Sequence, residues 1–167
     1  GLTGRGSARR QVAATVLFAD IRGSTHLFEQ YGDVRARQIE TRVLDALAAR
    51  TGAHGGEVVK TIGDEIMSRF ADAESAVRAA RAMHQALKED PELAQLNIAV
   101  RIGLHHGPVL VEKNDVFGDA VNIAARMVSL SKGGQIITTR ETVDYLPAEI
   151  KQMTRSLGRS QVRGKQE

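Results

Sequence analysis

Two apolar strands that each run into an acidic turn constrain this chain more than any other feature. They are Thr15-Val-Leu-Phe-Ala-Asp20-Ile-Arg-Gly-Ser-Thr25 and Val58-Val-Lys60-Thr-Ile-Gly-Asp64-Glu-Ile. A strand that buries its side chains and then ends on a carboxylate leaves a charge where a cation can reach it. Two such carboxylates brought together can hold divalent ions through oxygen, an arrangement suited to phosphoryl transfer. Lys60 stands four residues before the second acid.

The 167 residues are most simply one domain, with 42% apolar residues to build a core. Residues 1–10 are rich in Gly, Ser and Arg and read as a linker or remnant, with residues 11–167 as the folded domain. Cysteine is absent, which excludes disulfides and thiolate metal sites. No stretch has the length and apolarity of a membrane span, and no signal peptide is visible. The expected location is cytoplasmic, either free or as the cytoplasmic part of a larger, membrane-tethered protein. The net charge of +3 mixes 23 bases with 20 acids. Nucleic-acid binding needs a denser basic stripe with aromatic partners, so no nucleic-acid partner is expected.

Hydrophobic spacing predicts the element order β-α-α-β-β-α-β-β-α-β-α. A buried strand covers Val12–Ala19. Helices follow through His26-Leu27-Phe28 and over Val34–Arg50, separated by Gly32-Asp33. Glu57–Ile62 and Glu65–Phe70 form a hairpin around Gly63-Asp64. Asp72 caps a helix to about Lys88, and Pro91 ends that region. Strands are expected over Asn97–His106 and Val109–Glu112, then a turn at Lys113-Asn114 and a helix from Gly118 to about Leu130. A strand over Gln135–Thr138 and a short helix over Glu141–Leu146 complete the series. The fold class is α+β: a mainly antiparallel, ferredoxin-like sheet with three helices on one face.

Taken singly, Asp20 and Asp64 are compatible with plain turn acids. In a ferredoxin-like sheet, however, the first strand and the central hairpin are neighbours, so both can reach one site for Mg²⁺ or Mn²⁺. The loop Ile21–Thr25 leads into a helix start, whose free N–H groups favour a phosphate. Lys60 could be a surface lysine and Asp115 a turn acid. Sharing a pocket, the ammonium can donate to an adenine ring nitrogen while the carboxylate accepts from the exocyclic amine. Guanine presents a carbonyl there and is disfavoured. Asn122 and Arg126 share one face of the predicted fourth helix. They form either a solvent face or a pair that orients a ribose and neutralises charge at phosphorus. His105 and His106 are adjacent on a strand, point to opposite faces, and are poorly placed to share a metal.

With these residues placed, the chain resembles the class III nucleotidyl cyclase catalytic domain over about Ala13–Tyr145. The resemblance rests on four segments in order: Phe18-Ala-Asp-Ile-Arg-Gly-Ser-Thr25, Lys60-Thr-Ile-Gly-Asp64, Val100-Arg-Ile-Gly-Leu-His-His-Gly107 and Asp115-Val-Phe-Gly-Asp-Ala-Val-Asn122-Ile-Ala-Ala-Arg126. It implies the cyclase catalytic fold and two divalent metal ions, Mg²⁺ or Mn²⁺, on Asp20, Asp64 and the backbone carbonyl of Ile21. Gly23, Ser24 and Thr25 would contact phosphates. Lys60 and Asp115 would select adenine, Asn122 would position the ribose, and Arg126 would stabilise the transition state. Arg101 matches a strand arginine that contacts phosphate in some members, and a structural role stands beside that one.

The implied reaction is ATP to 3′,5′-cyclic AMP and pyrophosphate, in sites shared across a head-to-tail homodimer. A regulatory domain is expected elsewhere in the full-length protein. A guanylate cyclase and a catalytically silent nucleotide-binding module are the alternatives. The chain departs from the family in a short segment between Gly107 and Asp115, as in some bacterial members, and in Ser24 where many members carry Phe. Its match to the late basic motif at Arg163-Gly164-Lys165 is loose, and the C-terminal strand is expected to be cut short.

Overall fold

A computed structural model describes residues 9–157, together with the backbone of 161–162 and 165–166. The central strand is β1 (Arg10–Ile21). It pairs antiparallel with β3 (Glu65–Phe70) on one side and with β4 (Val100–Glu112) on the other. The edge strand β2 (Glu57–Ile62) joins β3 through a two-residue turn, so the hairpin expected around Gly63-Asp64 is present. β5 (Asp115–Phe117) folds back antiparallel on β4, and β6 (Ile136–Ile137) adds a short parallel pair to it. The sheet order is β2-β3-β1-β4-β5.

β1 is buried without a break from Ala14 to Ala19, with Thr15 its one polar residue there, because both of its faces are covered. Leu17, Ala19 and Ile21 point to one side, with Ile66, Phe70, Val100, Ile102 and Leu104 from the flanking strands. Two helices close that side. The first, α1 (Ser24–Ala53), is broken at Gly32, where helical geometry was expected to stop. Its residues Ala36, Ile39, Val43 and Leu47 are all but fully buried. The second, α2 (Ala73–Glu89), is capped by Asp72, whose Oδ1 accepts the Ser75 N–H at 2.7 Å.

Ala14, Val16 and Phe18 point to the opposite side, onto α4 (Asp119–Leu130) through Ala120, Ala124 and Val128. The expectation of three helices on one face is therefore corrected: among the described residues α4 packs on the face opposite α1 and α2. Gly103 permits it. A Cβ at Gly103 would collide with the Val128 backbone nitrogen, so the helix backbone lies directly on the strand.

Three local expectations also change. β4 runs unbroken through Gly107-Pro108, because Ala13 and Ala14 of β1 keep pairing with those residues. Pro91 opens the short helix α3 (Pro91–Gln95) rather than only ending a region, since the missing N–H is tolerated at the first helical position. Asp90 caps it, accepting from Glu92 N and Leu93 N, and also takes the Arg42 guanidinium at 2.7 Å and 3.1 Å. The helix expected over Glu141–Leu146 is the shorter α5 (Arg140–Val143), and a further short helix that was not expected, α6 (Ala148–Lys151), follows it. The last strands, β7 (Gln161–Val162) and β8 (Lys165–Gln166), pair only with each other. Arg163 and Gly164 of the basic motif, and residues 1–8 of the expected linker, lie outside the described residues. Among the described residues no helix is long and apolar enough to cross a membrane.

Gly103→Ala should lower the unfolding free energy by about 2–3 kcal/mol, because the new methyl meets backbone rather than a movable side chain. Gly52→Ala, in a helical position with open space around it, should instead raise stability by up to about 1 kcal/mol. Urea unfolding of both variants checks the pair.

Candidate functional site

The two acidic turns meet because the backbone ties them together. The Ile21 N–H donates to the Asp64 carbonyl at 3.2 Å, and the Arg22 N–H to the Ala99 carbonyl at 2.9 Å. β1 therefore ends against the β2–β3 turn, and the Asp20 and Asp64 side chains come together. Asp64 acts on the Asp20 carboxyl both through its charge and as a hydrogen-bond partner. Beyond Ile21 the chain turns at Gly23, whose φ of 77° favours glycine, and α1 starts at Ser24 with no side-chain cap. Its first N–H groups thus have no partner within the helix, beside the exposed Thr25 and the half-buried Ser24.

Asp20 is not alone with Asp64. In the ladder it faces Glu65 of β3 on one side and Arg101 of β4 on the other. Directly opposed residues share a sheet face, so Glu65, Asp20 and Arg101 form a row. Arg101 Nε and Nη2 both donate to Asp20 Oδ2, at 2.9 Å and 2.8 Å. Burial pushes the Asp20 carboxyl above its ordinary value; the Arg101 hydrogen bonds oppose that, and the Asp64 charge adds to it. Glu65 is raised by burial first, then by the charge of Asp20. Glu40, reaching in from α1, is raised by burial and then by Asp64. Residue spacing did not point to Glu65, Glu40 or the Arg101 contact. Glu65 could have been found from the tight turn, which forces it opposite Ile62, but its alignment with Asp20 needed the β1–β3 register.

A second pair lies on the two outermost strands. Lys60 Nζ of β2 donates to Asp115 Oδ2 of β5 at 3.2 Å. The Val116 N–H bonded to Asp115 Oδ1, and then Lys60, hold this carboxyl below its usual range. Asn122 is exposed and Arg126 half-buried on α4, and their side chains have no hydrogen-bond or ion-pair partner among the described residues. The structure thus brings Asp20 to Asp64 and Lys60 to Asp115. Among the described residues no hydrogen bond or ion pair links those two pairs, or joins either pair to Asn122 or Arg126. His105 and His106 bond separately, His105 Nδ1 with Thr139 Oγ1 at 2.7 Å and His106 Nδ1 with Thr15 Oγ1 at 2.8 Å, as expected for opposite faces.

The donor set fits a divalent cation. It consists of carboxylate oxygens on converging turns, raised by burial and mutual repulsion, which a cation would relieve. Among the described residues no three acidic, His or Cys side chains form a closed metal cage. An ion held by one or two of these carboxylates would need its remaining positions filled by water or substrate phosphates.

The sequence profile of the adenylate and guanylate cyclase catalytic domain matches residues 7–167. An adenylate cyclase of Anabaena cylindrica is 33% identical over 185 residues, which cover 98% of this chain and 36% of that protein. Two solved structures have a TM-score of 0.83. The adenylyl cyclase CyaB from P. aeruginosa is 25% identical, covering 95% of this chain and 91% of its own. The catalytic core of a rhodopsin-guanylyl cyclase with converted specificity, in complex with ATPalphaS, is 27% identical, covering 95% and 93%. The chain spans only 24% to 36% of the curated relatives' length. It belongs to the adenylate and guanylate cyclase catalytic domain family.

The carboxyl cluster has a definite pH signature. A carboxyl whose folded value is raised costs stability once ionised, and that cost vanishes as pH falls below the unfolded value near about 4. Asp64→Asn should therefore lower the titration midpoints of Asp20, Glu65 and Glu40 together, read by carbon NMR. It should also stabilise the fold more at pH 7 than at pH 3. Unmoved midpoints would show that Asp64 does not share the cluster.

Proposed function

We propose that this cyclase catalytic domain closes ATP to 3′,5′-cyclic AMP with release of pyrophosphate. The observation that carries the choice of base is the Lys60–Asp115 pair, at 3.2 Å and open to solvent on both sides. Its ammonium donates to an adenine ring nitrogen and its carboxylate accepts from the exocyclic amine. A guanine carbonyl would face that carboxylate with no proton between them. Relatives named adenylate cyclase support the reading.

Asp20 and Asp64, with the Ile21 carbonyl, would hold two ions, Mg²⁺ or Mn²⁺. When bound, these supply a lowered proton affinity at the ribose 3′-hydroxyl and positive charge on the triphosphate. The protein's own groups do the remaining work. Gly23, Ser24 and Thr25 offer the first N–H groups of α1 to phosphate oxygens. Asn122 orients the ribose so that its 3′-oxygen lies in line with the α-phosphorus. The new 3′-O–P bond forms, the bond to the β-phosphate oxygen breaks, pyrophosphate leaves with that electron pair, and the hydroxyl proton is lost to solvent. Arg126, with no counter-ion among the described residues, neutralises charge growing on the α-phosphoryl oxygens. No hydrogen bond or ion pair joins the residue sets among the described residues, and the reading includes a head-to-tail homodimer in which each site draws on both copies. A regulatory domain elsewhere in the full-length protein remains part of it.

Purified protein incubated with ATP or GTP and Mn²⁺, with products identified by mass, tests the reading. Cyclic AMP is expected. Cyclic GMP alone, made from GTP, would make it a guanylate cyclase, a reading favoured by the likeness to solved guanylyl cyclases such as Cya2, 26% identical with a TM-score of 0.76. No product from either would leave a silent nucleotide-binding module. Asp20→Ala and Asp64→Ala should each abolish turnover, and Arg126→Ala should cost roughly 10²–10³ in kcat. Mixing the Asp20 and Arg126 variants should restore activity through one intact site per dimer, and no rescue would argue against shared sites. Lys60→Glu with Asp115→Cys should weaken the preference for ATP.

A further inference from the structure

We propose that Arg101 is a built-in counter-ion for Asp20. Its guanidinium holds one carboxylate oxygen in the ion-free protein, and a divalent cation reaches that oxygen only by displacing it. The inference rests on the reading of Asp20 as an ion ligand.

The register makes the contact unavoidable. Asp20 and Arg101 are direct partners in the β1–β4 ladder, so their Cβ atoms lie about 5 Å apart on one face. The side chains are only 15% and 29% exposed, which shields the pair from the screening that weakens surface ion pairs. Two N–H groups of the guanidinium converge on a single oxygen, Oδ2, rather than forking across both. A divalent ion bound to that oxygen would stand within a few ångströms of a fixed positive charge, where like charges exclude each other.

The two oxygens of Asp20 are therefore not equivalent. Arg101 bonds only to Oδ2, and the carboxyl also has Asp64 beside it. If Asp20 is to serve two ions, one position is open in the free protein and the other is closed by Arg101. Opening it does not strand the guanidinium in an apolar site. Glu65 lies next in the same cross-strand row, on the far side of Asp20, and offers a second acid toward which Arg101 can turn. The arrangement makes ion binding at the second position an exchange of one cation for another. That keeps Asp20 paired when no ion is present, and it lowers the affinity for a second ion.

Two measurements on the ion alone, without nucleotide, test this. In the wild-type protein, the Arg101 Nε–H resonance should shift as Mg²⁺ is added, because its bond to Asp20 Oδ2 breaks. By calorimetry, Arg101→Gln should bind its weaker Mn²⁺ roughly tenfold more tightly than the wild type, as expected when a hydrogen-bonded charge no longer competes. Arg101→Lys, which keeps the charge but loses the fork, should fall between them. Asp64→Asn serves as the control that reports on the site itself. If Mn²⁺ binds the wild type and Asp64→Asn weakens it, yet the Nε–H resonance stays still and Arg101→Gln binds no tighter, the counter-ion proposal is overturned while the metal site stands. If Mn²⁺ binds neither wild type nor Arg101→Gln, the carboxylate pair is not an ion site and the proposal falls with it.

Discussion

The position of β1 between β3 and β4 is the constraint on which the rest of the molecule depends. Its register sets Asp20 opposite Glu65 on one side and Arg101 on the other, and places Phe18 beside Gly103, where α4 rests on the sheet. Because side chains alternate along a strand, a slip of one residue would send Asp20 to the face covered by α1 and α2. Leu17, Ala19 and Ile21 on that face, and Ala14, Val16 and Phe18 on the other, resist any slip because both sets are buried. The core and the site are thus specified by the same ladder.

That ladder assembles a group of carboxylates that repel one another. Asp20, Asp64, Glu65 and Glu40 come from two turns, a strand and a helix, and three of them are held above their ordinary values. A fold selected for stability alone has no reason to collect them, and clustered perturbed acids of this kind favour a functional site. Arg101 offsets part of the repulsion, and the exposed start of α1 adds unpaired N–H groups nearby. The Lys60–Asp115 pair is of a different kind: oppositely charged and solvent-facing. In the proposed function the first cluster would take cations and phosphate, and the second a neutral, hydrogen-bonding ring.

Local patterns were read correctly where local physics decides. The hairpin at Gly63-Asp64, the Asp72 cap and the break at Gly32 follow from turn and capping chemistry within a few residues. Expectations failed where distant partners decide. Gly107-Pro108 looks like a strand break but stays paired because β1 extends far enough to hold it. Pro91 looks like a terminator but opens α3 because Asp90 can cap it. The face chosen by α4 depends on Gly103 being bare beneath it, a steric fact between residues far apart in the chain.

The amino-acid sequence by itself determined the family and the α+β class, because these rest on strand periodicity, turn chemistry and motifs read in order, and it named the residues proposed for the site. Only the tertiary structure decided which charges meet. The Arg101 guanidinium on Asp20, the alignment of Glu65 and the Lys60–Asp115 pair are contacts across strands. They depend on register and sheet curvature, which are set by the packing of both faces at once and which no local stretch of residues encodes.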